Sequence, residues 1–197
     1  MEPIILASGS LRRQEYFKLL GLPFNIMPSM LDEKPRPNQT PREYTEEMSV
    51  RKINKIIDQL RGRMPYWICG ADTVISVDGE IFGKASSRDQ AGEMLEKLRG
   101  REHEVSTSVA LFNGRNQTID RRSVQSSVTF APLSESEIDW YLNTGEWQGV
   151  AGAYKIQGLG ACFVTSIKGS YSAIVGLPLR EFYVMLIENG YQYGDVR

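Results

Sequence analysis

The sequence predicts an α/β protein built on a mixed, twisted sheet with flanking helices. Short β-branched runs alternate with segments of helical spacing, so strands and helices interleave along the chain. The helical segments open on capping residues and close on glycines. A turn at Asp78-Gly79 adds a hairpin, which a purely parallel sheet would lack.

Each element follows in order. Ile4-Ile5-Leu6-Ala7 is a short buried strand, and Ser8-Gly9-Ser10 a tight loop after it. Ser10 caps a helix from Leu11 to Leu20 that Gly21 ends. Thr40-Pro41-Arg42-Glu43 combines a capping box with proline at the first helical position. Tyr44, Met48, Ile53, Ile56, Ile57 and Leu60 then recur at helical spacing towards Gly62. Tyr66 to Ala71 reads as a buried strand that delivers Asp72 at its end, and Val74 to Phe82 as a hairpin. Ser87 and Gln90 box a helix with Ala91, Met94, Leu95 and Leu98, stopped by Gly100. Val105, Thr107, Val109 and Leu111 alternate as one strand face, with Val124, Val128 and Phe130 as its partner. Ser134 and Glu137 box a further helix that runs through Ile138, Tyr141 and Leu142 to Gly145. Ala161 to Ile167 is strand-like, and Leu179 to Ile187 closes the chain as an amphipathic helix. Pro35-Arg36-Pro37-Asn38 is a loop rather than a linker, so residues 1–197 form one domain.

Composition narrows the function. The 197 residues are 41% hydrophobic, 10% aromatic and 24% charged, as in an ordinary globular protein. Twenty-three Lys+Arg stand against 24 Asp+Glu, a net charge of −1 that argues against nucleic acid or an anionic membrane as partner. No apolar run reaches the roughly 18 residues of a membrane span, and the opening Met-Glu-Pro-Ile-Ile-Leu-Ala lacks the basic start of a signal peptide. A cytoplasmic protein is expected. Cys69 and Cys162, each beside apolar residues, read as buried free thiols. His103 is the only histidine, so a multi-histidine metal site is excluded and any Ser-His-Asp triad would have to use it. It lies at a strand entrance and reads as structural. Acid–base work falls to carboxylates and lysines, with an oxygen-bound hard cation as the natural helper.

Three clusters can carry chemistry. Ser8-Gly-Ser-Leu-Arg12-Arg13 lies at a strand-to-helix junction, where free N–H groups attract phosphate. Two arginines in a first helical turn oppose the helix dipole, and a bound polyanion would remove that conflict. The same pattern also fits a solvated helix start. The second cluster is Gly70-Ala-Asp72-Thr73 with Gly83-Lys84. Asp72 can take a proton or bind a divalent cation, and the hairpin returns Lys84 towards it; a capped turn and a surface lysine are the plainer alternative. Gly79 to Ala85 resembles a phosphate-binding loop but is one residue short, with Ala85 where a Mg2+-binding hydroxyl is needed. The third cluster, Gly152 to Gly160, holds Gln157, whose amide could read a base edge or order a water. Lys52 shares a helix stripe with Met48 and Ile56, either snorkelling to water or pointing into a cleft. Glu33 falls in a loop.

Taken together and in order, Ala7 to Arg13, Gly70 to Val74, Gly83-Lys84 and Ala151 to Gly160 resemble the Maf family of nucleotide pyrophosphatases. Asp78-Gly79, Leu98 to Val105 and Gly169 to Pro178 look like further family segments, so the resemblance covers nearly the whole chain. It implies two lobes around a nucleotide cleft, as in inosine-triphosphatase-like folds. It also implies hydrolysis of a nucleoside triphosphate to the monophosphate and pyrophosphate with a divalent cation, Mg2+ or Mn2+. By motif, Asp72 matches the proton acceptor, with Lys84 and Lys52 beside it in catalysis. Ser8, Arg12, Arg13, Glu33, Thr73 and Gln157 match substrate-binding positions, and Asp72 with Glu33 the metal-binding ones. Arg12, Thr73 and Gln157 look like the dTTP/UTP type rather than the 7-methyl-GTP type. The resemblance suggests a homodimer. House-cleaning of modified purine triphosphates is the rival enzyme reading, and a non-catalytic, nucleotide-binding regulator of cell division is the rival outside enzymes. The chain departs from the family at Ala85, where proline is common, at Glu146-Trp147 and at Lys155.

Overall fold

A computed structural model describes residues 1–32, 34–62 and 65–193. It divides into two compact units. Unit 1 comprises Met1–Asp72, Thr107–Ser123 and Gly176–Arg197, and unit 2 Thr73–Ser106 and Val124–Val175. Among the described residues the seven strands are β1 (Ile4–Leu6), β2 (Phe24–Ile26), β3 (Trp67–Val77), β4 (Glu80–Phe82), β5 (Glu102–Asn113), β6 (Thr118–Phe130) and β7 (Val164–Lys168). They form one sheet of order β2-β1-β3-β5-β6-β7, with β4 paired to β3. β1 runs parallel to β2 and β3, whereas β4 and β7 are antiparallel to their neighbours. The expected mixed α/β architecture is therefore present. The helices are α1 (Leu11–Leu19), α2 (Pro41–Gln59), α3 (Arg88–Leu98), α4 (Glu135–Thr144), α5 (Tyr171–Val175) and α6 (Leu179–Glu188).

In unit 1 the period of two along β3 sorts its side chains to opposite faces. Trp67, Cys69 and Ala71 join Ile4, Leu6, Val109 and Leu111 in a core completed by Phe17 of α1 and by Phe182, Met185 and Leu186 of α6. Ile68 faces the other way, into a cluster with Ile53 and Ile56 of α2. Gly70 and Asp72 share that second face. At Gly70 the α2 backbone lies so close that a Cβ would run into the Ser49 carbonyl oxygen. A glycine there lets α2 settle onto the sheet, which sets the reach of every side chain on that helix face.

Unit 2 gathers its core around aromatic rings. Phe130 packs edge-on against Phe163, Tyr154 and His103, and Phe163 against Tyr141. α3 packs on α4, and Arg88 ties them by hydrogen bonds to Asp139 (2.8 Å) and Asn143 (3.1 Å). The β3–β4 hairpin turns at Asp78 and Gly79, both left-handed at φ 51° and 79°, as a two-residue turn of this type requires.

Several local expectations are corrected. Asp72 does not end a strand: β3 runs through it for 11 residues. Ser10 occupies the cap position of α1 but makes no side-chain capping bond. At α3 the Ser87 hydroxyl accepts from the Gln90 N–H, but the Gln90 side chain turns to Ser86 instead of closing a box. The boxes at Thr40 and Ser134 both close. Residues Leu159–Phe163 form a 3-10 turn before β7, so the strand starts later than its apolar run. Cys69 is buried as expected, whereas Cys162 is exposed, and both are free thiols. Among the described residues no helix is long and apolar enough to cross a membrane.

Candidate active site

The sequence-predicted residues fall in both units: Ser8, Arg12, Arg13, Lys52 and Asp72 in unit 1, and Thr73, Lys84 and Gln157 in unit 2. Glu33 lies outside the described residues.

In unit 1 the start of α1 gathers cations under constraint. Arg13 is buried, at 8% exposure. Its Nε donates to the Gly176 carbonyl at 2.8 Å and its Nη1 to the Ser8 hydroxyl at 3.0 Å. Two anchors hold the guanidinium in place, and Ser8 also accepts the Ser10 N–H at 3.3 Å. Arg12 beside it is half-buried, and burial followed by the neighbouring Arg13 charge presses it below the ordinary guanidinium value. These are the conditions that an anion relieves: partly dehydrated like charges at the positive end of a helix. The reading of this cluster as a merely solvated helix start does not survive for Arg13.

The second feature is an ion pair between α2 and β3. Lys52 Nζ lies 2.5 Å from Asp72 Oδ1, and its distance to the Ala71 carbonyl is 3.4 Å. Both side chains are below 10% exposure, at 6% and 8%. Lys52 thus points inward rather than snorkelling to solvent. The close approach at Gly70 is what brings it in, since Ser49 precedes Lys52 by one turn of α2. A chain of hydroxyls seats the same helix: Thr45 meets Ser108 at 2.7 Å, Ser108 meets Ser123 at 2.9 Å, and Ser123 donates to Glu46 at 2.7 Å. Dehydrating two charges costs several kcal/mol per ion, and an apolar pair of similar volume is often as stable. Buried ionisable pairs of this kind gather at functional sites and in structural ion-pair networks alike.

In unit 2, Lys84 is exposed and forms an antiparallel bridge with Ala151, while the Gly152 N–H donates to the Gly83 carbonyl at 2.9 Å. The chain then passes through two left-handed residues, Gly152 (φ 62°) and Ala153 (φ 58°). Gly152 is pressed on Ile75, leaving no room for a Cβ. Ala153 is fully buried in a conformation that costs an L-residue about 1 kcal/mol, strain of the kind that collects at functional sites. Gln157 follows, half-buried, and its Nε2 meets no hydrogen-bond partner among the described residues. Thr73 is half-buried on β3 directly after Asp72. His103 is buried among the aromatic rings of unit 2. Its Nε2 meets the Tyr154 hydroxyl at 2.9 Å, and burial pushes its pKa down to about 4, so the ring is neutral at pH 7.

For a divalent cation the described residues offer one carboxylate, Asp72, at this site. No group of three His, Cys, Asp or Glu side chains gathers as a metal cage among them. That donor set fits a hard cation held by one or two carboxylates together with substrate phosphates, rather than a closed protein cage. Sequence reading missed the Gly176 carbonyl, the Ala71 carbonyl and the seat at Gly70. The glycines were its only signal for these, since main-chain contacts leave no other mark in a sequence.

An α/β protein with dehydrated arginines at a helix start and a buried lysine–carboxylate pair has the parts of a phosphoryl-handling enzyme. The chain belongs to the Maf family, whose description, Maf-like protein, matches residues 3–189. It is 41% identical over 191 residues to a dTTP/UTP pyrophosphatase of Symbiobacterium thermophilum, covering 97% of this chain and 96% of that one. It is 40% identical over 186 residues to a dTTP/UTP pyrophosphatase of Escherichia coli O157:H7, covering 94% and 92%. A solved structure, that of the Staphylococcus aureus Ham1 protein, aligns with 66% of this chain and 73% of its own at 15% identity and a TM-score of 0.46.

Proposed function

We propose that this protein hydrolyses dTTP and UTP to the nucleoside monophosphate and pyrophosphate. The buried Lys52–Asp72 pair carries the reading. A triphosphate brings three to four negative charges, and Arg12 and Arg13 supply dehydrated cations at a helix start without making the whole chain basic. In the hydrolysis, a water oxygen bonds to the α-phosphorus, the bridge to the β-phosphate breaks, and pyrophosphate leaves. Asp72 accepts the water's proton, and the Lys52 ammonium at 2.5 Å holds its carboxylate in place. Arg13, with its Nε and Nη1 already anchored, presents a guanidinium that needs no reorganisation when charge develops on the phosphates. Lys84 is assigned to the leaving pyrophosphate and Ser8 and Thr73 to substrate binding. Gln157 takes the base, where its unpartnered amide N–H can donate to a pyrimidine carbonyl. A divalent cation held by Asp72, and by Glu33 on the family pattern, would polarise the phosphoryl oxygens and lower the pKa of the attacking water.

The deciding experiment measures pyrophosphate release from dTTP, UTP, ATP, GTP, 7-methyl-GTP and inosine triphosphate with Mg2+ or Mn2+. Turnover led by dTTP and UTP is expected. Turnover led by inosine triphosphate would make the protein a purine house-cleaning enzyme, and no release from any of them would remove hydrolysis altogether.

A further inference from the structure

The loop that carries Gln157 is held by an acidic side chain outside it. Glu146 stands two residues past α4, and one of its carboxylate oxygens, Oε2, accepts the Leu159 N–H at 2.8 Å. Its own N–H donates to the Thr144 hydroxyl at 3.2 Å, and the adjacent Trp147 indole donates to the Leu142 carbonyl at 3.1 Å. The base of the side chain is therefore tied to the end of α4. Gly158 wraps the carboxylate so tightly that a Cβ there would collide with both carboxylate oxygens. From the opposite side, the Tyr141 hydroxyl accepts the Lys155 N–H at 2.9 Å, and the Gly158 N–H closes back on the Lys155 carbonyl at 3.0 Å. Gly160 is packed against the Lys155 backbone with no space for a side chain. The chain on either side of Gln157 is thus pinned, while its own amide Nε2 has no partner among the described residues. Its direction comes from the backbone that bears it.

We propose that Glu146 is a positioning residue for base recognition: by holding Gly158 and Leu159 it aims Gln157 at the nucleobase. This rests on the reading of Gln157 as the base-contacting residue. A charge-assisted bond from a carboxylate to a backbone N–H is stronger than a neutral one, which suits a clamp on a glycine-rich segment that would otherwise sample several conformations. Glu146 acts on specificity and touches neither the phosphates nor the attacking water.

The test is the ratio of kcat/KM for dTTP to that for GTP in the full chain, with thermal unfolding measured alongside. Glu146→Ala should lower the ratio about tenfold, the scale of one misplaced hydrogen bond. Glu146→Gln, which keeps an oxygen acceptor for the Leu159 N–H, should recover most of it. Gly158→Ala should reproduce the loss without touching Glu146, because its Cβ meets the flexible end of the glutamate and displaces it. If Glu146→Ala does not fold, Gly158→Ala and Glu146→Gln decide. A lowered melting temperature with an unmoved ratio in Glu146→Ala and Gly158→Ala would make the clamp merely structural and overturn the proposal. Gln157→Ala is measured in parallel. If it moves the ratio and the clamp variants do not, this inference alone fails; if it leaves the ratio unmoved, the reading of Gln157 fails and this one with it.

Discussion

Both units bury a hydrogen-bonded pair of titratable side chains, and the two pairs differ in charge. In unit 1 Lys52 meets Asp72 at 2.5 Å with both side chains nearly inaccessible. In unit 2 His103 meets Tyr154 at 2.9 Å inside a nest of aromatic rings. Unit 2 keeps its pair neutral, because burial pushes the histidine pKa down and the tyrosine's up. That solution pairs His103 Nε2 with the Tyr154 hydroxyl without burying a charge, and leaves Nδ1 without a hydrogen-bond partner among the described residues. Unit 1 does the opposite and holds two opposite charges out of water, where an aliphatic pair would serve stability as well or better. The neutral pair is explained by packing. The charged pair asks for a further reason, which the proposed triphosphate chemistry would supply.

Four experiments press on that contrast, in decreasing order of expected effect. Asp72→Asn keeps the shape and one oxygen acceptor for Lys52 but removes the proton-accepting carboxylate. Its kcat should fall by about 10²- to 10⁴-fold, the range of general-base catalysis, while triphosphate affinity holds. Normal turnover with a collapsed melting temperature would return Asp72 to a structural role. Lys52→Met fills the same stripe but removes the ammonium that the buried Asp72 carboxylate meets at 2.5 Å, so urea unfolding should report a loss of about 3–5 kcal/mol. A variant as stable as the parent would show that water reaches the pair.

The third addresses unit 2. Folded His103 titrates at about 4 against its ordinary 6.5, so the unfolded chain takes up a proton that the fold refuses. Stability is full above 6.5, falls as pH drops from 6.5 to about 4, and levels below that. The loss amounts to about 3 kcal/mol. Urea unfolding at neutral pH and near the lower end of that window should show the slope in the parent and lose it in His103→Gln; equal slopes would place the titration elsewhere. Last, Arg13→Ala removes a charge-assisted contact worth about 1.5–3 kcal/mol. Calorimetry with a non-hydrolysable triphosphate should show weaker binding by about one to two powers of ten, and unchanged affinity would take Arg13 out of the phosphate site.

The sequence carried the helices best, because capping residues and glycine stops act locally: Thr40 and Ser134 form their boxes where the pattern placed them. It carried β3 less well. Gly70 and Asp72 are poor strand formers, so the run from Trp67 to Val77 reads as two pieces, and only burial on both faces makes it one. β2 and α5, of three and five residues, are too short for any period to declare itself. At the site, helical spacing put Lys52 on the buried stripe but could not choose its partner, which lies 20 residues away across the close approach at Gly70. Arg13 was legible as a cation at a helix start, but its anchor is a carbonyl 163 residues on, a contact of the main chain that carries no residue signature. Glu146 stood out only within a departure from the family pattern, and nothing in the sequence says that Gly158 closes around it.

The two cysteines turn this arrangement into a tool. Cys69 lies wholly inside unit 1, with burial pushing its thiol up to about 12, so a maleimide dye cannot reach it and the thiol will not ionise to react. Cys162 is exposed on the 3-10 turn Leu159–Phe163, five residues after Gln157. The unmodified chain therefore accepts one fluorophore per molecule, attached close to the proposed base-contacting Gln157, and nucleotide binding there can be followed by emission without introducing or deleting a single residue.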